Sequence, residues 1–236
     1  MMNVINKWKS EFDQRKIYSV PKRGPFYDLA KNYLPDNKDA IVVDVGPGEG
    51  WFATHCELKK FRNHKLLDIN ESTVNQLTKK GFNAEHYCAP ERLPFADVSV
   101  AYIHLSHIVE HLPYQELYGF LKEMDRVLEG GGMVVISTPM LWDRFYDDLS
   151  HVKPYNPQVF INYLTRSKEN ATQSPVSTNF IMRELQFRFR AVDATEWGSR
   201  YFIVDILMRS FRILRSRLGF RRYIKNGYTM VLEKNG

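Results

Sequence analysis

Ala40-Ile-Val-Val-Asp-Val-Gly-Pro-Gly-Glu-Gly50 decides the fold of this chain. Ile41 to Val45 is a short apolar run and reads as a buried strand. Gly46, Gly48 and Gly50 fall at alternate positions directly after it, a tight turn opening into a helix. Such a turn, free of side chains, lets a ligand lie against backbone N–H groups. Eighteen residues past Gly50, Asp68 closes a second apolar run, Lys65 to Ile69. A carboxylate at that point suits a bidentate hydrogen bond to ribose hydroxyls.

The same rhythm continues outward. Helical patterns over Trp51 to Phe61, Ser72 to Lys80 (closed by Gly81) and Tyr114 to Leu128 (closed by Gly130-Gly-Gly132) alternate with apolar runs at Asn83 to Tyr87, Val98 to His104 and Met133 to Ser137. Strands alternating with helices of this length predict right-handed βαβ units and a parallel sheet covered on both faces, an α/β architecture. After Pro139 the rhythm changes. Pro157 to Leu164 reads as a helix, Ser167 to Ser177 as a polar loop, and Leu185 to Val192 as a half-exposed strand of period two; Tyr228 to Glu233 reads as a last strand. Residues 1–39 read as an N-terminal helical cap broken at Pro21 to Pro25, ahead of one domain over 40–236.

Composition narrows the class. The chain has 236 residues, 44% hydrophobic, enough for one sizeable core. Two cysteines, Cys56 and Cys88, exclude a disulfide scaffold and a four-cysteine zinc site, and read as thiols of a reducing, cytoplasmic compartment. No apolar leader and no run of 18 apolar residues is present, so neither a signal peptide nor a membrane span is expected. Net charge is +6, but residues 198–227 hold eight Lys/Arg against one acid, Asp205, so that segment alone supplies +7. The rest sums to −1, which disfavours nucleic-acid binding by the body of the chain.

The turn has G-x-G-x-G spacing and follows Asp44, unlike the G-x-G-x-x-G of dinucleotide binders. A carboxylate there would repel a pyrophosphate and suits an ammonium. The chain resembles the class I S-adenosylmethionine-dependent methyltransferases over roughly Ile41 to Val159. The matching stretches are Val42 to Gly50, Leu66-Leu-Asp-Ile-Asn70, Glu91-Arg-Leu-Pro-Phe-Ala-Asp97, Val109-Glu-His-Leu112 and Arg126-Val-Leu-Glu-Gly-Gly-Gly132. The resemblance implies a Rossmann-like seven-stranded sheet with helices on both faces and an antiparallel last strand, and S-adenosylmethionine as cofactor. It implies that Gly46, Pro47 and Gly48 line the methionine and ribose part, that Asp68 holds the ribose and that Ile69 packs on adenine. Leu105 and Ser106 would sit near the methionine end, as would Asp44. One departure is Ala89, where many relatives carry Asp, leaving backbone groups or Glu91 to meet the adenine amino group.

Beyond the fourth and fifth strands the chain offers His104, His107, Glu110, His111, Trp142, Asp143, Asp147, Asp148, His151 and Tyr155 on the expected acceptor side. Transfer to a hydroxyl needs a positioned proton acceptor, and His titrates near neutral pH. Ser150-His-Val-Lys-Pro-Tyr155 resembles a segment of relatives that act on sugars, glycans and natural products. His151 is therefore the expected general base or orienting group, with His111 second. His107, Glu110 and His111 have i, i+3, i+4 spacing and would share one helical face. With His151 they could hold a divalent metal, the alternative being that they cap or orient the helix.

In the basic segment, Ile203, Leu207, Phe211, Leu214 and Leu218 recur at helical spacing, with Arg209, Arg212, Arg215 and Arg217 toward other faces. A basic amphipathic insertion over about 198–227 suits an anionic bilayer surface. Its alternatives are an apolar face packed on the domain, or a polyanionic contact. The expected function is methyl transfer from S-adenosylmethionine to a hydroxyl of a sugar or cell-surface glycan. Its alternatives are a quinone or phenolic acceptor with metal assistance, and a non-catalytic binding module of the same fold.

Overall fold

The computed structural model describes residues 2–166, 173–192 and 199–236. The loop expected over Ser167 to Ser177 and the start of the basic segment therefore fall in part outside the described residues.

The sheet has seven strands: β1 (Ile41–Val45), β2 (Asn63–Asp68), β3 (Ala84–His86), β4 (Val100–Ser106), β5 (Leu128–Pro139), β6 (Phe180–Val192) and β7 (Arg222–Lys234). Their order is β3-β2-β1-β4-β5-β7-β6. The first five pair in parallel, and β7 inserts antiparallel between β5 and β6. This is the sheet the sequence predicts, with β6 and β7 each longer than the alternation indicates.

The apolar runs of the central strands hide a period of two. Val43 and Val45, Leu67, Ile103 and Leu105, Val134 and Ile136, and Met230 and Leu232 enter one core. Val42, Leu66, Tyr102, Val135 and Val231 enter the other. Both faces are covered, so both sets are apolar. Helix α5 (Tyr114–Val127) covers the first face with Leu117, Phe120, Leu121, Met124 and Val127, a stripe at helical spacing. The second face is covered by α2 (Gly24–Lys31) through Leu29 and Ala30, by α3 (Trp51–His55) through Phe52 and Ala53, and by α4 (Glu71–Lys79) through Leu77. Tyr102 spans the second core and its hydroxyl donates to the Ala30 carbonyl at 2.9 Å. The N-terminal cap, α1 (Met2–Tyr18) plus α2, is thus tied to the sheet through α2.

Local chemistry explains the boundaries. Asn70 caps α4, accepting from the Ser72 amide at 2.9 Å, and Gly81 follows its end with φ +81°. Three expectations are corrected. The helix from Trp51 stops at His55, because Glu57 takes a left-handed conformation (φ 55°) and starts a separate 3₁₀ turn, Leu58–Lys60. The glycines 130–132 do not cap α5, which ends at Val127, but open β5. A Cβ at Gly132 would lie 2.9 Å from the Glu129 carbonyl and 3.1 Å from that of Val100, so only glycine fits there. The helix from Pro157 is a short α6 (Pro157–Phe160) followed by a π-helical turn, Ile161–Thr165.

The basic segment forms α7 (Phe202–Arg217), and it buries no residue. Ile203, Leu207, Phe211, Leu214 and Leu218 are all more than half exposed, so the packed-face alternative is overturned. A direct comparison checks this layering. Phe120→Ala should lower unfolding free energy by about 3–5 kcal/mol, because Phe120 is fully buried. Leu207→Asp should change it by less than about 0.5 kcal/mol, as a surface substitution does. Denaturant unfolding followed by circular dichroism reads both.

Candidate functional site

The C-terminal ends of β1, β2 and β4 bound a cleft of about 310 Å³ lined by Gly46, Gly48, Asp68, Ile69, Tyr87, Ala89, Ile108, His111 and Leu112, among others. The turn after β1 makes its floor. The Gly46 amide donates to the Leu67 carbonyl at 2.8 Å, which draws the turn toward β2, and the Gly50 amide closes it on the Pro47 carbonyl at 2.9 Å. Gly46 has φ +67°, and a Cβ there would fall 2.0 Å from Ile108 Cδ1, so a side chain at 46 is excluded twice. Gly48 has φ +52° with open space around its missing side chain. Asp68 ends β2 and is held by its own loop: Oδ1 accepts from the Asn70 amide at 2.9 Å and Oδ2 from the Gly48 amide at 3.4 Å. Asp68 also lines the cleft. The residues present fit an adenosine: a bare glycine floor, a carboxylate for a diol, and apolar walls from Ile69, Tyr87, Ile108 and Leu112.

The structure does not bring every expected residue to this cleft. Leu105 is fully buried in the first core, because β4 points it into the sheet face rather than off the strand end. Asp44 is also buried and meets His104 across the β1–β4 register, with Oδ1 2.7 Å from Nδ1. Phe52 stacks on that imidazole with ring centroids 3.5 Å apart. His104 is therefore not an acceptor-side group, but the hydrogen-bonding partner of a buried carboxylate. Asp44 Oδ2 has no partner among the described residues. Pro47 is buried behind the turn. Glu91 is exposed and reaches the site only through its carbonyl, which accepts from the Tyr87 hydroxyl at 2.6 Å. Ser106 lies at the end of β4 and accepts from Arg23 Nη1 at 3.1 Å, in a separate cavity.

The shared helical face expected for His107, Glu110 and His111 is not formed. Only Val109–His111 makes a 3₁₀ turn, and His107 takes a left-handed conformation, φ +60°. His107 therefore swings away from His111, with Nδ1 3.0 Å from Glu110 Oε1. Burial pushes the His107 pKa down against the pull of Glu110. Glu110, His111 and His151 do come together, each offering a ligand atom within 4.8 Å of the others. His111 Nδ1 lies 3.0 Å from the Ser150 carbonyl, and His151 Nδ1 lies 2.6 Å from that of Phe145. A carbonyl can only accept, so each Nδ1 carries the proton and each neutral ring keeps a lone pair on Nε2. The rings stand 5.0 Å apart.

The loop carrying His151 is fixed from both sides. The Glu110 carbonyl accepts from the Val152 and Lys153 amides at 2.9 and 3.2 Å. Tyr155 donates to the Leu112 carbonyl at 2.9 Å, and Tyr228 of β7 donates to the Tyr155 carbonyl at 2.7 Å. Tyr155 is thus a buried strut rather than an acceptor contact, and Trp142 carries Arg190 over its ring at 4.8 Å. Sequence reasoning missed Ile108, which fills the space Gly46 leaves. It also missed Arg23 and Arg188, for which a basic residue beside a proline break and one in an aromatic strand gave no usable signal.

The cleft predicts a specific loss. Asp68→Ala should weaken binding of S-adenosylmethionine, the ligand implied by the sequence resemblance, by about 1.5–3 kcal/mol, the range for hydrogen bonds to a charged group. Calorimetry reads it, and unchanged affinity would refute the pocket.

Comparison with known proteins agrees with this geometry. Residues 43–136 match the model of a methyltransferase domain, a span running from the glycine turn to the end of the fifth strand's core. No curated protein sequence matches the chain. Among solved structures, it is similar to a SAM-dependent methyltransferase from Archaeoglobus fulgidus (TM-score 0.56, 21% identity, 90% of this chain and 95% of that one). It is also similar to an S-adenosylmethionine-dependent methyltransferase from Mesorhizobium loti (TM-score 0.56, 14% identity, 88% and 96%). A geranyl diphosphate methyltransferase in complex with SAM aligns with TM-score 0.53 at 11% identity, over 90% of this chain and 85% of that one. At such identities the structural likeness speaks for the fold, and the domain match covers the residues that build the cleft. Taken together, the chain carries a match to a methyltransferase domain over residues 43–136, has the sheet order of the solved methyltransferases it resembles, and places the glycine turn and Asp68 on the cleft within that match.

Proposed function

We propose that the chain methylates a hydroxyl of a sugar or glycan in the cytoplasm, at an anionic membrane surface. The observation that supports the reaction type is the pair His111 and His151. Both have Nδ1 tied to a backbone carbonyl, so both present a basic Nε2, and His111 also lines the cofactor cleft. S-adenosylmethionine supplies a methyl group on a sulfonium. As the acceptor oxygen bonds that carbon and the carbon–sulfur bond breaks, the oxygen must lose its proton. In this reading His151 takes it and His111 orients the acceptor at the cleft wall. Asp148, whose Oδ2 lies 3.9 Å from His151 Nε2, stabilises the imidazolium so formed. Hydrogen bonds from the Ser150 hydroxyl and amide hold the Asp148 carboxyl below its ordinary range, so it is an anion at neutral pH.

A second reading, a phenolic acceptor with metal assistance, is favoured by the cluster of Glu110, His111 and His151. Two imidazole nitrogens and a carboxylate are a fitting donor set for a divalent transition metal. A bound metal would lower the acceptor's pKa. His107 takes no part in that set.

The experiment is methyl transfer from labelled S-adenosylmethionine to nucleotide sugars, lipid-linked sugars and catechols, with and without chelator. Turnover on sugars that survives chelator supports the first reading. Turnover on catechols that chelator abolishes and metal restores supports the second. On an accepted sugar, His151→Ala should lower kcat by about 10²–10⁴-fold, the usual range for a lost general base, while cofactor affinity stays unchanged.

The membrane part of the proposal is supported by α7. Its apolar residues are exposed, and the chain from Arg200 to Lys225 carries eight basic side chains against Asp205. No helix among the described residues is long and apolar enough to cross a membrane, so contact would be with the surface. Replacing Arg209, Arg212 and Arg215 together by Gln should weaken binding to phosphatidylserine vesicles by roughly two orders of magnitude, at about 1 kcal/mol per cation. Co-sedimentation at low and high salt measures this, and a wild type that never sediments would refute it.

A further inference from the structure

A second cavity lies on the acceptor side, beyond the ends of β4 and β5. It shares no lining residue with the cofactor cleft. It is narrow, about 10 Å³, which is room for one oxygen atom. Hydroxyl groups of Ser106, Ser137 and Thr138 border it, together with the guanidinium groups of Arg23 and Arg188. Two arginines beside one small cavity, walled also by Phe26, Tyr27 and Tyr228, need an explanation, because like charges repel and the partial burial of Arg188 adds to the cost.

Among the described residues, no carboxylate oxygen lies within 4.0 Å of either guanidinium. Arg23 donates to Ser106 Oγ at 3.1 Å, and Arg188 reaches only neutral oxygens of Asn226, Oδ1 at 3.2 Å and the carbonyl at 3.4 Å. Burial and the charge of Arg23 both push the Arg188 pKa down. Glu110 is the acid whose charge reaches Arg188, but it is engaged elsewhere: Oε1 lies 3.0 Å from His107 Nδ1, and Oε2 accepts from Thr138 at 3.0 Å.

The place of Arg188 is also built. Arg188 of β6 pairs with Gly227 of β7, and a Cβ at Gly227 would lie 3.0 Å from Nη2 and 3.1 Å from Nε. Glycine there lets the guanidinium lie flat along the strand. Arg23 arrives from the residue before α2, and Ser106 from the end of β4. Three separate elements thus converge to hold two cations with no carboxylate within 4.0 Å among the described residues, beside the Ser106 hydroxyl, an arrangement suited to a ligand oxoanion.

We propose that Arg23 and Arg188 clamp an oxoanion carried by the methyl acceptor, one oxygen seated in the cavity between them, so that the acceptor is an anionic compound such as a sugar bearing a phosphate or a carboxylate. This rests on the methyltransferase reading for what occupies the neighbouring cleft. It adds a charge requirement that the cleft itself does not impose, and a source of binding energy remote from the reacting hydroxyl.

The test uses the whole chain and two probes. S-adenosylhomocysteine is titrated first by calorimetry. Inorganic phosphate is then titrated into the S-adenosylhomocysteine-saturated protein at constant ionic strength. Saturable phosphate binding is expected in the wild type, weakened tenfold or more in Arg188→Gln and in Arg23→Gln and partly kept in Arg188→Lys. S-adenosylhomocysteine affinity should stay within about twofold in all three. Arg23 lies at the surface, so its variant remains informative if Arg188→Gln fails to fold. Phosphate binding that is absent, or equal in wild type and variants, would overturn the proposal. A tenfold loss of S-adenosylhomocysteine affinity in the variants would also overturn it, since the arginines would then hold the cofactor's own carboxylate. A wild type that binds phosphate but not S-adenosylhomocysteine would instead refute the cofactor reading and leave the clamp standing.

Discussion

The central strands of this sheet are buried on both faces, and most of the structure follows from that constraint. A polar side chain in their interior must either pair inside the protein or move to a strand end. Asp44 and His104 take the first course: they face one another across β1 and β4, each about 1% exposed, with Phe52 stacked on the imidazole. Asp68 and Ser106 take the second, at the C-terminal ends of their strands. In parallel strands those ends lie on one edge, so the polar groups able to meet a ligand gather there without a dedicated scaffold.

Segments leaving that edge do the rest, and they are held tightly. The left-handed turn at His107 sends Ile108 over Gly46 and brings Glu110 inward. The Glu110 carbonyl then anchors the loop that carries His151, while the chain of hydrogen bonds from Tyr228 to Tyr155 to Leu112 ties that loop to β7 and to the start of α5. A loop holds its side chains in place when its backbone is anchored, and these hydrogen bonds anchor this one. The result is two cavities of different lining: an apolar-walled cleft with one carboxylate, and a small cavity with two cations beside it.

Charge is distributed by the same logic. The body of the chain is nearly neutral, and the surplus sits on residues 198–227, within which α7 buries no residue and keeps its leucines, isoleucines and phenylalanines in the open. An apolar face of that size on a helix that buries nothing asks for a surface to lie on. Arg23 and Arg188, beside the small cavity at the ends of β4 and β5, belong to a different part of the fold.

The sequence by itself determined the sheet, and it singled out the glycine turn and Asp68, which line one cleft. Strand and helix periods are local, the glycine turn and Asp68 lie within 25 residues of one another, and each follows a strand whose apolar run is plain. It also located the basic helix, whose period needs no partner to be seen. What it could not decide was side-chain direction at strand ends and contact between distant segments. Leu105 and Ser106 are neighbours in sequence, yet the pleat buries one and frees the other. His107 and His111 have helical spacing, yet a single left-handed residue separates them. Arg23 and Arg188 are 165 residues apart, and only the packing of α2 and the β6–β7 hairpin over the strand ends puts them beside one cavity. Local pattern records which face a residue prefers, whereas a site assembled from three remote elements exists only once the chain has closed on itself.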